Sequence, residues 1–307
     1  KYDGMFEDGW HAMRARRYRR QVEMGLVDPT THPLPPVMGH ENVKDWDALD
    51  PEEKAVEVAK MRVHAAMVDR VDQGLAKVIA ALKETGAYEN TVIFVLADNG
   101  ASPEVPTRPG YDRTATTREG VPVKYSGFTA EELGDETTYT GIGSYWANAA
   151  NTPFRYWKVE SFEGGMHTPC IVHWPKGLQA ERGGFTDHMS HVIDVMPTCL
   201  ELAGVEYPKS YKGHNLVPLE GRSLLPAMRG EADSGDRTLY FEHVGGKAII
   251  AEGWKAVQPV RGDEWELYHL DEDRTETKNL AAQRPEMLAR LTEQWSDWAA
   301  RVGFEPK

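Results

Sequence analysis

The 307 residues carry 35 Lys and Arg against 48 Asp and Glu, a formal net charge of −13, and 40% of them are apolar. That apolar share can fill one large domain or two unequal ones, which excludes a disordered chain. The longest wholly apolar run, residues 92–97, falls far short of the roughly 20 residues that span a bilayer. The first residues lack the charged-then-apolar pattern of a signal peptide. An acidic balance with no dense basic run argues against nucleic acid or an anionic membrane as partner. Two cysteines, Cys170 and Cys199, match neither a disulfide framework nor a zinc site of paired thiols.

In chain order, Trp10, Met13, Tyr18 and Val22 recur at helical intervals across residues 7–25, Gly25 supplies the stop, and four prolines make 28–36 a loop. The basic cluster Arg14-Ala-Arg-Arg-Tyr-Arg-Arg20 falls in this helix, where helical spacing scatters the charges around the cylinder as a solvated face. A second helix opens at Asp50-Pro-Glu-Glu53, a capping box with proline in the first turn. Its stripe of Val56, Ala59, Val63, Met67, Val71, Leu75, Val78 and Leu82 predicts packing on a sheet, with Gly86 as the stop. Residues 91–97 form a continuous β-branched and apolar run, as expected of a central parallel strand buried on both faces. Helix then strand is half of a βαβ unit.

Residues 101–150 show no sustained period and read as an irregular excursion. Residues 168–174 predict another core strand, and 194–202 a short helix before Gly204. The period then changes to two. Residues 238–244, 248–257 and 265–270 predict successive antiparallel strands, and 285–302 a closing amphipathic helix. The expected organisation is an α/β domain over 1–231 and a smaller α+β subdomain over 232–307.

Asp98-Asn99-Gly100 stands at the carboxyl end of the first predicted strand, the edge where open α/β sheets bind ligands. A carboxylate and an amide give two hard oxygen donors suited to calcium or magnesium, although calcium takes roughly six to eight. The same tripeptide is also a common strand-ending turn. Lys158, ahead of Glu163-Gly-Gly165, could bring an ammonium to that edge to offset an oxyanion, or lie on the surface. The eleven histidines include no His-Glu-x-x-His pair. His188 and His191 fit a capping or packing role better than metal binding, and His243 reads as a hairpin turn residue. The Gly-x-Ser-x-Gly elbow is missing, Gly141-Ile-Gly143 lacks the third glycine of a dinucleotide loop, and Glu276 breaks an EF-hand start at Asp271.

Jointly, Met67-Val-Asp-Arg-Val-Asp72, Leu96-Ala-Asp-Asn-Gly100, Asn151-Thr-Pro-Phe-Arg-Tyr-Trp-Lys158, Glu163-Gly-Gly-Met-His-Thr-Pro169, His173-Trp-Pro175, Asp194-Val-Met-Pro-Thr198 and Leu267-Tyr-His-Leu-Asp271 with Glu276-Thr-Lys-Asn-Leu280 resemble the sulfatase family of the alkaline phosphatase-like superfamily. The match runs in family order over most of the chain. It implies an alkaline phosphatase-like α/β sheet with flanking helices plus a C-terminal α+β subdomain with an antiparallel sheet. It also implies hydrolysis of a sulfate monoester on a sulfated small molecule or saccharide. By the same resemblance Asp98 and Asn99 are ligands of one divalent cation, Ca2+ or else Mg2+, and Lys158 is the catalytic contact to the sulfate oxygens. His243 is a weaker substrate-side candidate, since relatives often carry Arg after that glycine turn.

The family's formylglycine arises in a Cys/Ser-x-Pro-x-Arg motif that is absent here: Ile171-Val172 follow Cys170, and Leu200-Glu201 follow Cys199. The chain is therefore expected to be the C-terminal portion of a sulfatase and inactive alone, its paired aspartates and nucleophile lying upstream. A periplasmic or secreted location is implied. The rivals are a phosphate or phosphonate monoester hydrolase of the same superfamily and a non-catalytic binding module.

Overall fold

A computed structural model describes residues 1–110, 113–232, 237–260, 262 and 264–304. In chain order its elements are α1 (Gly9–Glu23), α2 (Pro51–Glu84), β1 (Ile93–Leu96), α3 (Gly143–Ala150), α4 (Glu163–Met166), β2 (Cys170–His173), α5 (Val195–Ala203), β3 (Ser210–Tyr211), β4 (His214–Asn215) and α6 (Leu225–Met228). They are followed by β5 (Thr238–His243), β6 (Gly246–Ala251), β7 (Trp254–Gln258), β8 (Glu266–His269) and α7 (Pro285–Arg301). No described helix is long and apolar enough to cross a membrane. The chain falls into two units: Lys1–Ile79 with Asn99–Thr168 and Thr238–Lys307, and Ala80–Asp98 with Pro169–Arg237.

In the first unit the capping box of α2 forms as its sequence predicts: Asp50 Oδ1 accepts the Glu53 amide and Glu53 Oε2 accepts the Asp50 amide, both at 2.9 Å. The apolar stripe fares differently. Of the stripe, Val56, Ala59 and Val63 are half-buried and Met67 and Val71 are 63% and 70% exposed, while the buried residues of α2, Val58 and Met61, lie off it, so only the first turns of α2 find a core. That core is aromatic. Trp10 stacks on Tyr145 and meets Trp46 and Trp146 edge-on, the geometry that ring quadrupoles favour. Helix α3, inside the excursion expected to be irregular, supplies Trp146, Ala147 and Ala149 to it; eight residues are too short to show a period.

Arg14 overturns its reading as a solvated side chain. It is 1% exposed and donates to the carbonyls of Pro35, Asn148, Pro153 and Phe154 at 2.8–3.4 Å, while Arg16, Arg17, Arg19 and Arg20 stay exposed. One helix face thus buries a guanidinium because an irregular segment beside it has carbonyls that need donors. Burial pulls its pKa down to about 10, still charged at neutral pH.

The C-terminal sheet has the antiparallel order β5-β6-β7-β8. The single strand expected over 248–257 is two, β6 and β7, because Glu252 and Gly253 turn at positive φ. Helix α7 covers one face through Leu291, Trp295 and Ala299, against Ile249, Ala256 and Leu267. From β7, Lys255 enters a fully buried charge cluster, with its Nζ 2.9 Å from Glu163 Oε1 and 2.7 Å from Glu276 Oε1. Glu163 Oε2 also accepts from Arg274 Nε at 3.1 Å and meets His167 Nδ1 at 2.9 Å. Burial by itself raises the Glu163 pKa, but Lys255, Arg274 and His167 override it and hold the carboxyl well below its ordinary range. Burial pushes Glu276 up to about 7; Lys255 offsets only part of this, and the neighbouring Glu163 charge opposes ionisation.

In the second unit β1 pairs, among the described residues, with β2 alone, antiparallel, with Ile93 opposite His173 and Leu96 opposite Cys170. This corrects the expectation of a parallel strand buried on both faces. A continuous apolar run encodes burial but not strand direction, and here Leu96 is 40% and Ile171 61% exposed. The inner face packs Phe94 and Val172 on Leu224, Leu225 and Met228. His191 caps the turn before α5: its Nδ1 accepts the Ile193 amide and its own amide donates to Asp194. Asp194, fully buried, takes two 2.6 Å bonds from Arg237.

Arg14→Met should cost about 3 kcal/mol or more in urea denaturation, because several buried carbonyls lose a charged donor. Arg19→Ala, on the exposed face, should stay within about 0.5 kcal/mol. Glu276 adds a pH signature. Its folded pKa lies above the ordinary 4.5, so its contribution to stability is full below that value and is lost as pH rises through about 7. Glu163 has the opposite sign, its contribution being lost as pH falls below its ordinary 4.5. Melting temperatures across pH 5 to 8 should therefore decline less in Glu276→Gln than in the parent chain, with the loss at lower pH retained.

Candidate functional site

Asn99 and Lys158 are carried on one hydrogen-bonded block of the first unit. The Gly100 amide donates to Gly165 O at 2.9 Å, the Ala101 amide to Asn151 Oδ1 at 2.9 Å, and the Lys158 amide to Ala101 O at 3.0 Å. The turn after Asn99 is thus pinned between the Asn151–Lys158 segment and the glycines of α4. Gly100 is required by this contact, since a Cβ there would sit 1.8 Å from Gly164 O. Gly164 is required in turn, with Arg155 O only 1.9 Å from its own would-be Cβ.

Asn148 and Asn151 splint the segment that leads to the lysine. Asn148 Nδ2 donates to Phe154 O and Tyr156 O, Asn151 Nδ2 donates to Tyr156 O, and Asn148 Oδ1 accepts the Met38 amide. Two residues beside Lys158 adopt left-handed backbone without being glycine: Tyr156 at φ 61° and Val159 at φ 87°. For a β-branched residue this conformation is a genuine outlier, worth roughly 1–3 kcal/mol of strain, and such strain concentrates at functional sites. Between them Trp157 is buried and meets His40 edge-on at 4.8 Å, while Lys158 is half-buried. Among the described residues no side chain pairs with the Lys158 amine.

Asn99 is half-buried and its Nδ2 donates to Gly100 O at 2.8 Å, which fixes the amide with Oδ1 as its open end. A carbonyl-type oxygen presented this way fits a hard divalent cation. Asp98, the preceding residue, ends the second unit's segment Ala80–Asp98 and is exposed. Among the described residues no three His, Cys, Asp or Glu side chains gather as a metal cage.

His243 ends β5, exposed, beside the hairpin turn at Val244 and Gly245. The hairpin backbone at Gly246 approaches Ser161, three residues beyond Lys158. Lys247 extends over the Trp295 ring at 5.2 Å. The side chains that hold the block, Arg14, Asn148, Glu163, Lys255 and Glu276, were not singled out as functional from the sequence. One signal was available: Lys255 is a charge inside the otherwise apolar inward run of β7.

The sulfatase family profile matches residues 2–205, and that of the C-terminal region of N-sulphoglucosamine sulphohydrolase matches 155–299. An uncharacterized sulfatase of Schizosaccharomyces pombe is 32% identical over 314 residues, covering 99% of this chain and 54% of that protein. An arylsulfatase of Klebsiella aerogenes is 30% identical over 227 residues, 73% of this chain and 46% of its own length. The fold is similar to the crystal structure of Ps i-CgsB, with a TM-score of 0.55 at 22% identity over 94% of this chain and 54% of that one. The chain thus spans about half the length of the curated relatives it matches. A profile match over most of its length, on a fold shared with a solved relative, makes this chain a member of the sulfatase family.

Proposed function

We propose that the chain contributes one part of a sulfuric ester hydrolase: Lys158 as the sulfate-contacting cation, and Asp98 with Asn99 as two oxygen ligands of a divalent cation, calcium before magnesium. The observation that carries this reading is the block itself, which spends two strained residues and two splinting asparagines to present an amine with no side-chain partner among the described residues. Once bound, the cation would polarise the ester's sulfuryl oxygens, and a formylglycine, which the family uses, would supply the nucleophile. The Lys158 ammonium offsets charge that grows on the sulfate oxygens as the ester bond breaks. Its half-buried position strengthens that effect over a fully solvated lysine. The Asn99 amide holds its oxygen on the ligand side with no reorganisation, because its nitrogen is already bonded to Gly100 O.

The remaining groups are assigned to polypeptide corresponding to the part of the relatives that this chain does not span. Each unit leaves apolar surface for such polypeptide to cover: Met67, Val71 and Val78 on α2 in the first, and Ile171, Met196 and Val217 in the second. Single exposed apolar residues are ordinary, but three along one helix stripe are the face of a partner.

The protein containing this chain should cleave p-nitrophenyl sulfate faster than p-nitrophenyl phosphate, lose that activity to a chelator and regain it with calcium. Faster cleavage of the phosphate would instead favour the phosphate or phosphonate hydrolase reading. Lys158→Ala should lower kcat/KM on the sulfate by about 10²–10³-fold with an unchanged melting temperature. The 307-residue chain alone should show no turnover with either ester; turnover by it would sink the partition proposed here.

A further inference from the structure

We propose that Lys255 is a positioning residue: its buried ammonium, held between Glu163 and Glu276, fixes the Glu163–Gly165 turn and, through that turn, where Asn99 stands relative to Lys158. The inference deepens the proposed hydrolase reading and rests on it for its catalytic meaning.

The transmission is short and wholly within the first unit. Lys255 Nζ meets Glu163 Oε1 at 2.9 Å, and the Glu163 backbone amide donates to Glu276 Oε2 at 2.9 Å. Glu163 is therefore held at both its side chain and its backbone from two distant parts of the chain. The next two residues are the glycines against which Gly100 lies, with Gly165 O accepting the Gly100 amide and Gly164 O too close for any side chain at 100. Asn99 precedes that contact and Ala101 follows it, and Ala101 O accepts the Lys158 amide. A shift of the glycine turn must move both ends of the block.

A stabilising purpose alone does not account for this arrangement. Buried ion pairs are commonly matched or bettered by apolar packing, and in some proteins they are retained for the single geometry they impose. Lys255 Nζ stands 2.7 Å from Glu276 Oε1 as well as 2.9 Å from Glu163 Oε1, so one ammonium joins the carboxylate on the site side to the one whose other oxygen accepts the Glu163 amide. The same segment is fastened independently. Arg14 holds the carbonyls of Asn148, Pro153 and Phe154, and Arg155 donates to Glu276 O and to the Tyr268 hydroxyl at 3.1 Å. Removing Lys255 takes away the anchor on Glu163 Oε1, loosening a turn that Arg274 and His167 still hold at Oε2, and leaves the segment attached.

The test is amide hydrogen exchange on the 307-residue chain carrying Lys255→Met, beside the charge-balanced Lys255→Met/Glu276→Gln, in which Gln still accepts the Glu163 amide. In whichever folds, exchange at Gly100 and Lys158 should rise roughly tenfold or more above any change at Ala248, Ile249 and Ile250 in β6. Equal acceleration at both places would mean a purely structural role, and no acceleration would mean no role; either overturns the proposal. In the protein that hydrolyses aryl sulfate, Lys255→Met should lower kcat/KM at least tenfold in the parent background and have little further effect on Lys158→Ala, since it acts through the same group. Full additivity of the two losses also overturns it. Exchange is read without substrate, so absent sulfate turnover counts against the hydrolase reading alone, while uniform exchange with turnover intact counts against positioning alone.

Discussion

Buried cations aimed at an irregular segment are the constraint on which the first unit depends. Residues 148–163 form too little regular structure to satisfy their own carbonyls, and no buried backbone oxygen can be left without a donor at small cost. The donors come from far away in sequence: Arg14 reaches carbonyls 134 to 140 residues downstream, and Lys255 reaches a carboxylate 92 residues upstream. Each is a charged side chain whose own burial would be prohibitive without those oxygens. The segment and its clamps are therefore mutually dependent, and the lysine at its end inherits a defined place.

Elements governed by local chemistry were legible from residue order. The Asp50 capping box, the Gly86 stop, the antiparallel C-terminal strands and the helix over 285–302 all depend on neighbours within a few positions, and each forms near where its pattern falls. The segments around Asp98 and Lys158 were legible as motifs. Illegible features share a different property, in that a partner distant in sequence decides them. Arg14 looks like its exposed neighbours until the carbonyls of Pro153 and Phe154 are beside it. Lys255 stands out as a charge in an apolar run, but what holds it is unknown until two carboxylates surround it. The direction of β1 is set by its pairing with β2, and its apolar composition is silent about it.

The same distinction separates the two ways in which apolar patterning misled. On α2 the stripe is regular, yet Met67 and Val71 lie open, so periodicity recorded a surface to be covered without saying by what. On β1 and β2 the apolar run recorded burial on two faces where one is packed on α6 and Leu96 and Ile171 lie open. Natural chains seldom keep such a stripe against water.

Strain and clamping belong to one account. Tyr156 and Val159 occupy left-handed backbone on either side of Trp157 and Lys158 at a cost of roughly 1–3 kcal/mol each, and unassisted they would relax. Relaxation would require the carbonyls of Phe154 and Tyr156 to leave Asn148 and Asn151, and the Lys158 amide to leave Ala101. These attachments together oppose the relaxation, so the lysine keeps a place that the backbone preferences of Tyr156 and Val159 alone would not give it. A flexible side chain gains from this in a specific way: the entropy of finding its anion is reduced before the anion arrives.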